Sequence, residues 1–147
     1  MAKLLLLLLS LAGLAHATNI SSCGGSAQVN TADIKVTGCE QPSQPCTFHK
    51  GRMATIALPF TPTSQISTVK AEVHGIIGGV PIPFPLQNSD GCRNSGLTCP
   101  LVAGEQYTYQ ASLPVRKIYP SIGLKVKWEL KDGSNSLVCI MIDVKLE

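Results

Sequence analysis

Between Val80 and Pro85 the chain reads Val80-Pro81-Ile82-Pro83-Phe84-Pro85, with a proline at every second position of what otherwise looks like an apolar strand. Proline has no N–H to give to a ladder, so this segment cannot lie at the centre of a sheet and is predicted to form an edge. Each residue before a proline is driven toward extended geometry, which keeps Val80, Ile82 and Phe84 on one face of a stiff ribbon. Two readings follow. The ribbon is a blunted edge that resists pairing with another chain, or it is the rim of an apolar cavity whose two walls are kept apart.

Period-two alternation continues through the rest of the chain. Ile56, Leu58 and Phe60 share a face, and Val69, Ala71 and Val73 alternate with Lys70, Glu72 and His74. Tyr107 to Val115, Ile122 to Leu130 and Val138 to Leu146 repeat the pattern, and no stretch has helical periodicity. Turn signals such as Thr61-Pro62, Ala103-Gly104 and Asp132-Gly133 fall between the runs. About seven antiparallel strands of this kind in one domain predict an all-β, immunoglobulin-like β-sandwich. Close packing of such sheets needs them about 10 Å apart. The proline ribbon, Pro114 and Pro120 are expected to splay them on one side and leave a cavity walled by Ile82, Phe84, Val115 and Tyr119.

The N-terminus carries Lys3, an apolar run from Leu4 to about Ala15, and the small-residue pattern Ala15-His16-Ala17. This is the pattern of a secretory signal peptide over 1–17, which leaves one domain over 18–147. The full chain has 12 basic and 9 acidic residues and a net charge of +3. Without Lys3 the balance is weaker still, and no basic stripe interleaved with aromatics argues for nucleic acid. All six cysteines lie beyond the leader, and an even count in a secreted chain implies three disulfides with fifteen possible connectivities. Pairing near neighbours would join Cys39 with Cys46 and Cys92 with Cys99, leaving Cys23 with Cys139. A structural zinc site does not fit, because the six-residue gaps exceed the two to four residues of a knuckle.

Catalysis has few candidates. Only His49 and His74 remain beyond the leader, and no nucleophile elbow or glycine-rich phosphate loop is present. No catalytic residue, metal or cofactor is expected, and the chain reads as a binder. Asn19-Ile20-Ser21 is its one glycosylation sequon.

An ordered string of motifs narrows the class of ligand: Val73-His74-Gly75-Ile76, the ribbon, Asp90-Gly91-Cys92, Cys99-Pro100, Leu113-Pro114-Val115, Tyr119-Pro120-Ser121-Ile122 and Trp128-Glu129-Leu130. From Cys23 to the C-terminus the chain resembles the sterol-carrying branch of the MD-2-related lipid-recognition (ML) family. The resemblance implies the disulfides Cys23–Cys139, Cys39–Cys46 and Cys92–Cys99. It implies a pocket for a sterol or other hydrophobic lipid with contacts at Phe84, Val115 and Tyr119 and further wall positions at Val36, Ile82, Pro120 and Trp128. It also implies a patch at His74, Gly75, Val80, Asp90 and Arg93 that meets membranes and a membrane-embedded sterol acceptor of the Niemann-Pick type C1 kind. The expected protein is a secreted or endosomal–lysosomal monomer that transports sterol. The alternative within the same fold is an innate-immune or semiochemical-binding module for glycolipid or fatty acid. Gly78 stands where vertebrate members have methionine, and Ala57-Leu58-Pro59 where they carry a sequon.

Overall fold

The computed structural model describes residues 18–147, so the predicted signal peptide over 1–17 lies outside the described residues. Nine strands are present: β1 (Ile20–Gly24), β2 (Lys35–Val36), β3 (Cys46–Phe48), β4 (Met53–Phe60), β5 (Lys70–Ile77), β6 (Val80–Phe84), β7 (Tyr107–Pro114), β8 (Gly123–Asp132) and β9 (Asn135–Leu146). The larger sheet runs β1-β9-β8-β5-β6, with β3 added beside β9, and the smaller runs β2-β4-β7. This is the predicted β-sandwich with more strands than the expected seven. β2 and β3 are two and three residues long, too short to display a period. β3 also runs parallel to β9, whereas every other strand pairing is antiparallel.

Alternation becomes packing where the two sheets face each other. On β8, Leu124, Val126, Trp128 and Leu130 are buried, and on β4 Ala54, Ile56, Leu58 and Phe60 are buried. Register carries each face across its sheet. Phe84 pairs with Val73, Val73 with Trp128, and Trp128 with Ile140, so four side chains form one row. On the smaller sheet Leu113, Ala111 and Tyr109 of β7 sit opposite Ala54, Ile56 and Leu58 of β4. Burial of each large aliphatic or aromatic side chain of this kind stabilises the fold by about 1.5–3 kcal/mol.

The outer face of the larger sheet is charged. Lys131 reaches Glu72 at 3.0 Å from the neighbouring strand, and Lys70 lies 3.7 Å from the same carboxylate. The Lys131 ammonium, by hydrogen bond and then by charge, holds the Glu72 carboxyl below its ordinary value, and burial opposes this only in part. At the edge, β6 pairs with β5 as the proline ribbon requires, with Pro81 opposite Ile76 and Pro83 opposite His74. Because prolines cannot donate, the ladder to β5 runs through the intervening residues, and the outward edge offers no N–H at 81 or 83.

Disulfides tie the periphery to this frame. Cys23–Cys139 spans 116 residues and joins β1 to β9, whereas Cys39–Cys46 and Cys92–Cys99 each close seven. In the chain-entropy account the long bridge stabilises by about 5 kcal/mol and each short one by about 2.5 kcal/mol. Asn19, the sequon residue, is packed against the chain. Its side chain is buried, and its Nδ2 donates to the Gln41 carbonyl at 3.1 Å. A sugar on that nitrogen would displace this hydrogen bond.

Candidate functional site

At one end of the sandwich β6, β7, β8, β9 and β3 converge on a small apolar cavity. It is lined by Phe48, Phe84, Leu113, Pro114, Val115, Tyr119, Leu124, Val126 and Leu146, without a polar surface in its lining. Phe84, the last residue of β6, is half-buried and meets Tyr119 edge-on with ring centroids 5.2 Å apart. Gly75 makes this possible. It pairs with Ile82 on β6, and a Cβ on it would collide with the Phe84 ring and press on Leu124.

The opposite wall is held by backbone. Val115 N–H donates to the Arg52 carbonyl at 2.9 Å, and Gly51 N–H donates to the Val115 carbonyl at 2.6 Å. A turn closed by Tyr119 N–H to the Arg116 carbonyl at 3.1 Å then swings the Tyr119 ring toward Phe84. Phe48 arrives from β3 beside Leu146, a consequence of the parallel pairing. The three-residue strand around Phe48 has too little alternation to have marked it as a wall residue from sequence.

Cavity size corrects the splayed-sheet expectation. The space between the walls is about 10 Å³, that of roughly one water molecule. Prolines at the β6 edge stop further pairing but do not push the sheets apart, because the ladder to β5 is intact and the wall side chains meet. Admitting a lipid therefore requires the aromatic pair and the β7–β8 walls to separate.

The predicted wall residues divide. Phe84, Val115 and Tyr119 line the cavity together. Ile82 stands on the rim and is 43% exposed. Pro120 is exposed, and Val36 is half-buried on β2 opposite Ile56. Neither borders the cavity. Trp128 is only 2% exposed and lies deeper, packed edge-on against Tyr109 with centroids 6.2 Å apart. Burial pushes the Tyr109 hydroxyl up to about 12.

The predicted patch does not form one surface. Gly75 is buried under Phe84. His74, its neighbour in sequence, points to the other face of the sheet, in register with Pro83 and Lys127. Asp90 bridges to Lys70 at the far end of β5 and pairs with Arg93 at 3.5 Å. Seven residues of strand, about 23 Å, separate that end from Val80 opposite Ile77. Asp90 instead shapes its loop, accepting the Cys92 N–H at 2.9 Å.

What borders the mouth shares only Val80 with that patch. Val80 and Ile82 are exposed on one side, and Ile118, 80% exposed, stands beside Tyr119 on the other. Lys50, Arg52, Arg116 and Lys117 occupy the two loops that clamp Val115, and none of the four forms an ion pair among the described residues. An apolar slot with an aromatic gate, exposed aliphatic side chains and unpaired cations can take up a hydrophobic molecule and meet an anionic surface. It holds no constellation of nucleophile and base.

Known proteins share this sandwich. The family model described as ML domain matches residues 17–146. The chain is 40% identical to the NPC intracellular cholesterol transporter 2 of Bos taurus, over 97% of this chain and 94% of that protein. It is 38% identical to the ecdysteroid-regulated 16 kDa protein of Manduca sexta, over 90% of both. The solved structure of a Niemann-Pick type C2 protein from the Japanese carpenter ant superposes with a TM-score of 0.80 at 26% identity, covering 87% of this chain and 98% of that one. With a matched family model over nearly all described residues, two relatives aligned over most of their length and the same sandwich, the chain belongs to the ML-domain family.

Proposed function

We propose that this protein binds a sterol, cholesterol or a close analogue, between its two sheets and carries it between the aqueous lumen and membranes. The observation that carries the reading is the wholly apolar cavity gated by Phe84 and Tyr119 at the open edge of the sandwich. Support also comes from the relatives named for cholesterol transport. Covering about 400–500 Å² of sterol surface gains on the order of 10 kcal/mol, enough for micromolar or tighter affinity after association and wall-opening costs. Phe84, Val115 and Tyr119 contact the ligand, Ile82 forms the rim, and the ring hydroxyl stays at the wet mouth.

Delivery uses the mouth. Ile118, Val80 and Ile82 enter the headgroup region while Lys50, Arg52, Arg116 and Lys117 meet anionic lipid, each charge worth about 1 kcal/mol near the surface. A membrane-embedded acceptor of the Niemann-Pick type C1 kind would dock on the same rim. The three disulfides and the leader over 1–17 fit a secreted or endosomal–lysosomal protein. The donor-poor β6 edge fits a monomer. Extracting the purified protein and identifying its lipid, followed by titration with a fluorescent sterol, tests the reading. Sterol in the extract and saturable binding are expected; a glycolipid or fatty acid in the extract with no sterol binding would replace it with the semiochemical or immune alternative.

A further inference from the structure

The segment that carries Tyr119 is held less firmly than its two ends. Val115 is clamped to the turn at 51–52 by the two hydrogen bonds already described, and the Leu146 N–H donates to the Ile122 carbonyl at 2.9 Å. Between these anchors, residues 116–121 make no backbone hydrogen bond to the rest of the described chain. The bonds they do make, Tyr119 N–H to the Arg116 carbonyl and Ile122 N–H to the Pro120 carbonyl, stay within 116–122.

Side chains reach across instead. The Lys50 ammonium donates to the Ser121 hydroxyl at 2.6 Å, the one side-chain hydrogen bond that 116–121 makes among the described residues. The stem of Lys117 lies over Gly51, where a Cβ would sit 2.9 Å from its Cε. Lys50 itself stands on fixed ground. Its N–H donates to the Glu147 carbonyl at 2.7 Å, and the Arg52 N–H closes the turn around it on the His49 carbonyl at 3.2 Å.

This arrangement matters because the cavity is closed and the ring that closes it, Tyr119, rides on the loosely held segment. A stretch fixed at both ends and poor in bonds between them opens more easily than the strands it joins. Arg116 and Lys117 on the segment and Lys50 and Arg52 on the turn have the same sign, so charge opposes closure while the Lys50–Ser121 bond opposes opening. An anionic phosphate oxygen is a stronger acceptor for an ammonium than a neutral hydroxyl is. Lys50 is one of the cations that meet anionic lipid at the mouth.

Resting on the sterol-carrier reading, we propose that residues 116–121 are a lid over the cavity, latched by the Lys50–Ser121 hydrogen bond, and that the phosphate of an anionic lipid frees the lid by taking the Lys50 ammonium from Ser121. Lys50 is then a positioning residue that acts on the cargo through Tyr119. The lid closes again behind a bound sterol, so the latch sets the rates of entry and release and leaves affinity to the walls. Docking on an anionic bilayer and opening become one event.

Ser121→Ala separates the latch from the charge, because it removes the acceptor and leaves every cation at the mouth in place. Stopped-flow mixing with a fluorescent sterol, and release of that sterol to excess cyclodextrin, give the two rates in water. Ser121→Ala and Lys50→Met should each raise both rates about three- to tenfold, as loss of one exposed hydrogen bond to a charged donor dictates. For Ser121→Ala the equilibrium affinity and the thermal midpoint should stay near wild type, and Ser121→Thr, which keeps the hydroxyl, should keep the wild-type rates. The double variant should be no faster than either single one, since the two residues make one bond. Release into vesicles is then compared between neutral phosphatidylcholine and phosphatidylcholine mixed with an anionic phospholipid. The anionic vesicles should accelerate wild type more than Ser121→Ala, whose latch is already open. Wild-type release rates in both single variants, effects that multiply in the double variant, or the same anionic acceleration in Ser121→Ala as in wild type would overturn the latch and leave the carrier reading standing. A wild type that binds no sterol overturns both.

Discussion

Gly75 and Phe84 hold the gate as a pair. The Phe84 ring lies where any side chain at 75 would have to go, so Gly75→Ala must displace the ring, Leu124 or both. Phe84→Ala removes the ring itself, worth about 2–3 kcal/mol of wall contact to a bound sterol. Both variants are expected to bind a fluorescent sterol more weakly while keeping a native circular-dichroism spectrum, with Phe84→Ala losing on the order of thirtyfold or more. Val115→Phe should act by the opposite route, filling the wall that Phe84→Ala empties. Full affinity in folded Phe84→Ala and Val115→Phe proteins would remove the cavity from the functional account. Trp128 shows how far identity alone carries: its place in the ordered motif string marks it as wall, but its burial beside Tyr109 depends on the opposite sheet.

At the scale of the element, β6 is an edge whose outward donors are removed at Pro81 and Pro83. Replacing both with threonine restores two outward N–H groups on a strand that already carries exposed Val80 and Ile82. Such a strand can pair with a second copy. Pro81→Thr with Pro83→Thr is expected to sediment as a concentration-dependent dimer or larger species, while the wild type stays monomeric across the same range. A monomeric double variant would mean that the prolines serve the gate and not the edge. Of the two sequence readings of the ribbon, the blunted edge is the one this strand realises; Phe84 does border a cavity, but its walls meet and are not held apart.

The whole molecule is held by an apolar core, a long disulfide and a charged outer face, and pH acts on the last of these. Glu72 has its carboxyl lowered from 4.5 by Lys131, so this pair contributes stability above that value and loses it as pH falls through the folded one. Lys131 is raised from 10.5 by the same hydrogen bond, so on its side the contribution is complete below 10.5 and is lost as pH rises past the folded value. The thermal midpoint should therefore stay nearly flat from about pH 5 to pH 9 and fall toward about pH 3. Glu72→Gln should flatten part of that acid limb, and an acid limb identical to wild type would show that the pair contributes nothing. An endosomal pH near 5 thus leaves this pair intact.

Sequence by itself determined the strands that are long enough to show a period, the edge position of the proline ribbon, the disulfide count and the family. Each depends on local chemistry: alternation of side chains, a missing N–H, an even number of cysteines, an ordered motif string. Only the tertiary structure decided the rest. Whether Val115 and Pro120 share a wall depends on a turn, and whether His74 and Gly75 share a patch depends on the pleat, which sends neighbours to opposite faces. Phe48 became a wall residue through a parallel pairing made 98 residues along the chain, with Leu146. The cavity's closure, the burial of the Asn19 amide and the meeting of Tyr109 with Trp128 are products of two sheets packed together. Such contacts join residues distant in sequence, and no local pattern encodes the distance between them.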